Sequence, residues 1–291
     1  SFQCAWLLNY YPAEWTAAFL DKEPENRKEA AINTAKSQGF AIRNLDINNS
    51  GRVWEISEDG TTLIQPLTSI KGLGLAAIEQ IEAARPFKNI EEFLFSDKIT
   101  YSKLNKKALD VLCRSGALRP LMDDRFKGDR HFWFCVAFDR PRKEKNLEEN
   151  LLKAEDFLLS EGEGLDFSNE ERIENLVNLT GIFPMHLVVN DSVIRRLRER
   201  YVPPISEYDP ELGVVWFIPR KVTSRKTKND KTYWIVEVID ENNVLTSIKC
   251  WGIKEGKDTI TINHPYMARL QYDEQWGFSC RSIRHQFKML G

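Results

Sequence analysis

Apolar and polar positions divide the chain into a helical front and a stranded end. Residues 2–20 are aromatic-rich, and Tyr11-Pro12 is placed to open a helix through Phe19. Residues 26–37 form a second helical run, stopped by Gly39. Residues 40–47 and 52–56 have the character of short strands. Glu58-Asp59-Gly60 marks a turn, and residues 61–64 a returning strand. Ile70, Leu73, Ala77, Ile78 and Ile81 then recur at helical spacing across the turn Gly72-Leu73-Gly74. Pro86-Phe87 breaks that helix, and residues 90–95 start another. Leu104-Asn105-Lys106-Lys107 opens a helix to Arg114, ended by Ser115-Gly116. Residues 131–138 are aromatic-dense and predict a buried helix, whereas 140–149 is a charge run expected to be solvated. Residues 170–179 and 192–200 predict helices, and Val202-Pro203-Pro204 a linker. From Gly213 onward the period becomes that of strands, at 214–219, 231–240, 244–251, 266–272 and 282–290, with a turn at Glu241-Asn242-Asn243.

The stretch 67–83 has the form of a helix-hairpin-helix. Two glycines permit a tight turn and a close backbone approach. The turn ends at a helix N-terminus, where unpaired N–H groups and the positive dipole end favour an anion. Leu73 can point back into the core, and Lys71 adds a cation beside Gly72 and Gly74. The matching ligand is a phosphate of duplex DNA, gripped without reading the bases. A plain capping turn has the same spelling; the apolar spacing on both sides favours the hairpin. Residues 104–116 could be a degenerate second copy. Lacking Gly-x-Gly, it is expected to pair structurally first and to offer Lys106 and Lys107 to phosphate second.

Five short strands with a break after the third suggest an OB-fold barrel. Residues 220–231 are expected to form the loop after its first strand. They carry Arg220, Lys221, Arg225, Lys226, Lys228 and Lys231 against a single Asp230. In an OB-fold that loop borders the nucleic-acid groove. Tyr233 and Trp251 are candidates for stacking on bases. Strand alternation puts Tyr233 and Trp234 on opposite faces, so one of them belongs to the core.

Composition adds bounds. The chain has 291 residues, 42% hydrophobic and 29% charged, with a formal net charge of −2. These values describe an ordinary globular protein of one to three domains. No apolar run is long enough to span a bilayer, so no membrane partner and a cytoplasmic location are expected. The charge is segregated. Lys and Arg outnumber Asp and Glu by 12 to 9 over 67–130 and by 13 to 9 over 211–291, and are outnumbered 5 to 11 over 141–175. Two mildly basic blocks flanking an acidic connector suit two DNA-contacting modules. Five cysteines and four histidines fall into no zinc-ligand spacing, and neither a metal nor another cofactor is expected in this chain.

The ordered motifs carry a resemblance. They are Tyr11-Pro12-Ala13-Glu14-Trp15, Leu45-Asp46-Ile47-Asn48-Asn49-Ser50, Ser69-Ile70-Lys71-Gly72-Leu73-Gly74, residues 105–117 and Leu179-Thr180-Gly181, before an OB-like end. The chain resembles the C-terminal portion of the bacterial or phage replicative DNA polymerase III alpha subunit, family C. The resemblance implies an α+β multidomain chain. Residues 1–66 would be the end of the fingers, 67–130 a tandem helix-hairpin-helix domain, 131–210 a helical connector and 211–291 an OB-fold. It implies duplex product held by the hairpins and single-stranded template held by the OB-fold. The palm carboxylates, with their Mg²⁺, would lie on a part supplied in cis or in trans. This chain alone is then expected to be inactive, while the whole protein would be a DNA-directed DNA polymerase, a nucleotidyltransferase. The family's clamp-docking peptide would correspond to Ala154-Glu155-Asp156-Phe157-Leu158, which has no Gln, so docking to a sliding clamp is not expected. Asn44-Leu45 and Ile182-Phe183 depart from the family spelling, a divergence that suits a phage member and leaves a bacterial one open. The alternative is a stand-alone helix-hairpin-helix and OB accessory protein of replication or repair. A ligase is disfavoured, because no Lys-x-Asp-Gly nucleophile motif is present.

Overall fold

A computed structural model describes residues 2–254 and 256–290. It divides into two compact units. The first holds the chain up to Ala35 together with Gly39–Phe183, and the second holds Lys36–Gln38 with the chain from Pro184 onward.

In the first unit, helix α1 (Phe2–Tyr10) carries no charged residue, and α2 (Pro12–Lys22) is opened by Pro12 in its first turn. Proline suits that position, because its missing N–H would lack a helical partner there anyway. Helix α3 (Lys28–Ser37) follows. Strands β1 (Ala41–Arg43), β2 (Glu55–Ile56) and β3 (Thr62–Ile64) form a small sheet in the order β1-β3-β2. The turn between β2 and β3 is held by the Asp59 carboxylate, which accepts hydrogen bonds from the Ser57 hydroxyl and the Thr61 amide.

Helices α4 (Leu75–Ala84), α5 (Ile90–Leu94), α6 (Lys106–Arg114) and α7 (Asp129–Trp133) enclose the main core. The chain continues from α7 as a π-helical turn over Phe134–Phe138. Ile78, Ile81, Phe93, Leu112 and Val136 are fully buried there. The charges of the run 142–149 are exposed, as expected, but its second half is also the start of a 17-residue helix, α8 (Glu144–Ser160). Leu147, Asn150, Ala154 and Leu158 bury one face of that helix; the dense charge between them masks the helical period. Helix α9 (Asn169–Thr180) has a capping box of Ser168 and Glu171 and stops at Gly181, which is left-handed at φ +74°.

The second unit has helices α10 (Met185–Val188) and α11 (Asp191–Glu199) and one curled seven-stranded sheet. Its strands are β4 (Val214–Lys226), β5 (Thr232–Ile239), β6 (Leu245–Cys250), β7 (Tyr266–Arg269), β8 (Gln271–Asp273) and β9 (Gly277–Cys280). Helix α12 (Ile283–Gln286) precedes the last strand, β10 (Phe287–Met289). The order is β10-β7-β4-β5-β6-β9-β8. The unit is OB-like in class, but the expected count of five strands is corrected to seven. Residues 266–272 split at Leu270, whose amide bonds to Gly213 instead of a neighbouring strand. Residues 277–280, preceded by Asp273-Glu274-Gln275-Trp276, were not legible as a strand; they pair in parallel with β6. The expected basic loop is also corrected. Residues 220–226 belong to β4, and only Thr227–Lys231 turns. Its charges hide a strand because Val222 is the one apolar residue among 220–226, and Ser224, Arg225 and Lys226 are all exposed. The core gathers Val215, Phe217, Val236, Val238, Ile248, Cys250 and Cys280.

Candidate nucleic-acid interface

The first helix of the hairpin is a single 3₁₀ turn, Leu67–Ser69. The two glycines then play different parts. Gly72 is at φ +90°, where an L side chain is strained, and a Cβ there would meet the Lys107 side chain at 3.4 Å. Gly74 is at φ −80°, ψ 145°, an ordinary extended conformation, and a Cβ there would meet nothing within 4 Å. Gly74 is the N-cap of α4 and offers no side-chain cap. No side chain therefore caps the first amides of α4. Leu73 is half-buried against the main core, as its placement between the glycines suggested, while Leu75 is 63% exposed.

Two cations stand beside the turn. Lys71 is exposed and adjoins the turn. Lys107, in the first turn of α6, lies across Gly72. Its neighbour Lys106 sits 5.0 Å over the Phe138 ring. Asn105 caps α6, its side chain accepting from the Ala108 amide at 3.0 Å. Lys71, Gly72, Leu73, Gly74, Lys106 and Lys107 thus come together in one unit.

The other motifs prove to be supports of the turn. The Lys71 amide donates to the Leu179 carbonyl at 2.9 Å. Buried Gln65 donates to the Thr180 carbonyl at 2.8 Å. The end of α9, Leu179-Thr180-Gly181, thereby holds the strand leading into the hairpin. Asp46 accepts from the Asn48 amide and Ser50 accepts from the Asp46 amide, making a closed turn. Asn48 exchanges two 2.8 Å bonds with the backbone of Phe87 just after α4.

In the second unit, the expected DNA residues spread along β4 and its neighbours. Arg220 bonds to Asn263. Lys221 pairs with Glu237 at 3.9 Å, and Lys226 with Asp230 at 2.8 Å. Lys228 stands exposed at the hairpin tip. Arg225 lies opposite Tyr233 on the face away from the core. Tyr233 stacks on Trp251 at 4.7 Å and 24°, while Trp234 packs on the core. Two neighbours escaped the sequence reading. Lys249, opposite Ile235 on β6, lies 5.0 Å over Trp276, which is 63% exposed. Trp276 sits beside a strand that was not legible, so no pattern marked it.

Within the possible clamp peptide, Ala154 and Leu158 are buried in the main core and Glu155 pairs with Lys127. Among the described residues no three His, Cys, Asp or Glu gather to hold a metal ion. Among the described residues no helix is long and apolar enough to cross a membrane.

Comparison with known proteins agrees with the ordered motifs. A helix-hairpin-helix motif family matches residues 39–128. The small sheet, the Asp46 turn, α4, α5 and α6 all fall within that match. The chain is similar to the DNA polymerase III subunit alpha of Pseudomonas fluorescens, 33% identical over 123 residues. It is also similar to that of Campylobacter jejuni, 35% identical over 124 residues, and that of Thermus aquaticus, 31% over 124. Each match covers 40% of this chain and 10% of the relative, so the chain aligns with about a tenth of the length of these proteins.

Proposed function

We propose that this chain is the DNA-gripping portion of a replicative DNA polymerase of the alpha-subunit kind, and that its helix-hairpin-helix holds duplex product by the phosphate backbone. One observation carries the reading. The open N-terminus of α4 has no side-chain cap, and Lys71 and Lys107 flank it at a turn only glycine adopts without strain. A phosphate there receives backbone N–H groups, the helix dipole and two cations. The Lys71→Ala/Lys107→Ala variant tests this by fluorescence anisotropy on two duplexes of unrelated sequence. Affinity should fall equally for both. The log affinity–log salt slope should become shallower by about 1.8, at ~0.9 per contact. Unchanged binding by the folded variant would assign the turn a purely structural role.

The outer face of β4, β5 and β6 favours a second contact, with single-stranded DNA. Tyr233, Trp251 and Trp276 offer aromatic surface, and Arg225 and Lys249 offer charge. Stacking of this kind contributes about 1–3 kcal/mol per base. Catalysis is assigned to carboxylates outside this chain, with their Mg²⁺. Primer extension by the purified chain should be absent and should appear when the catalytic part is added.

A further inference from the structure

Some cations of the first unit are paired: Arg52, Arg85, Arg114, Arg125 and Arg130, for instance, each reach a carboxylate. Others make no ion pair among the described residues, and they include Lys71, Lys106, Lys107, Arg140, Arg142 and Lys143 as well as Lys22, Arg43, Lys88, Lys98 and Lys103. The first six of these are physically linked. Lys107 lies across Gly72. Lys106 lies over Phe138, two residues before Arg140. Arg140 is stacked 3.9 Å over the Tyr101 ring, in the loop that leads into α6. The Tyr101 hydroxyl donates to the Pro141 carbonyl at 3.2 Å, and Arg140 Nη2 donates to the Tyr101 carbonyl at 3.5 Å. The segment is therefore fastened to the α6 end of the hairpin region at several points, and Arg142 and Lys143 are exposed beyond it.

We infer that Arg140-Pro141-Arg142-Lys143, which lies outside the helix-hairpin-helix match, extends the hairpin's phosphate-binding surface and takes a further stretch of the same duplex backbone. The inference rests on the duplex reading above. Of the nearby acids, Asp139 is engaged by Lys153, and Glu144, the exposed first residue of α8, forms no ion pair with Arg142 or Lys143. Arg140 Nε is buried without a hydrogen-bond partner. Burial is the main influence pulling the Arg140 guanidinium below its usual range, opposed by Tyr101 and aided by Arg142. Like charges held together in this way gain most from a polyanion. The stacked ring explains why an arginine stands at 140, since its planar guanidinium can lie flat on Tyr101 and keep N–H groups at its edge.

The test uses the full chain and a fluorescein-labelled duplex titrated with salt. Arg142→Ala/Lys143→Ala should flatten the log–log slope by about 1.8. Arg142→Lys/Lys143→Arg, which keeps both charges, should retain the wild-type slope. Both side chains are exposed and without ion pairs, so melting temperatures should coincide. An unchanged slope in the alanine variant, with a flattened slope in Lys71→Ala/Lys107→Ala, would overturn the extension and leave the hairpin reading intact. A slope unchanged in all variants would overturn both.

Discussion

At the scale of single residues, the two hairpin glycines do different work. Gly72 needs its left-handed φ, and Gly74 needs only the empty space before it. Gly72→Ala should therefore lower stability by about 1–2 kcal/mol through strain, read by urea denaturation. Gly74→Ala should leave stability nearly unchanged while weakening duplex binding, because its methyl group occupies the phosphate's approach. Equal stability losses at both positions would contradict this division. His131 offers a second test. It is 1% exposed, and both ring nitrogens lack partners. Burial first, and Lys127 second, hold its pKa below 6.5. The neutral ring is thus favoured in the folded chain, and the unfolded chain takes up the proton more readily. Stability should be constant in this respect above pH 6.5. It should decline as pH falls from there to the folded pKa, with a slope of at most about 1.4 kcal/mol per pH unit. His131→Gln should remove that component of the pH profile.

At the scale of elements, the motifs that identified the relationship are mostly braces. Gly181 ends α9 at φ +74°, and a Cβ there would press on Ile32 at 3.3 Å and the Glu29 amide at 3.4 Å. Gly181→Ala should destabilise the first unit by more than about 1 kcal/mol and weaken duplex binding only through that loss. Thermal melting and binding of the folded fraction separate the two effects. The hairpin was legible because Ile70, Leu73, Ala77, Ile78 and Ile81 keep helical spacing across glycines of special geometry. Helix α8 was half-hidden, because Lys143, Glu144, Lys145, Glu148 and Glu149 crowd around its core-facing Leu147. The end of β4 was read as a loop for a related reason. Lys221 and Arg225 face solvent, and on the core side Val222 is followed only by Ser224, so one apolar residue beyond Pro219 was too little for alternation to show. The side chains that meet across elements, Lys107 on Gly72 and Arg140 on Tyr101, could not be read from spacing, since they are brought together by packing alone.

At the scale of the whole molecule, both units present cations and backbone or aromatic surface suited to nucleic acid, on a chain of net charge −2. Affinity should therefore depend on local basic surfaces, and strongly on salt, not on overall charge. On the second unit, Trp251→Ala should weaken oligothymidine binding by about 1–3 kcal/mol with duplex affinity preserved; an identical oligothymidine affinity would remove that face from the DNA path. The central claim is that the open end of α4 is where duplex phosphate sits. Its most direct test is amide hydrogen exchange across residues 71–76, with and without a short duplex. Slowed exchange at Gly74, Leu75 and Ala76 on adding duplex, lost again at high salt, is the predicted result. Binding of the duplex with exchange at these amides unchanged would contradict it.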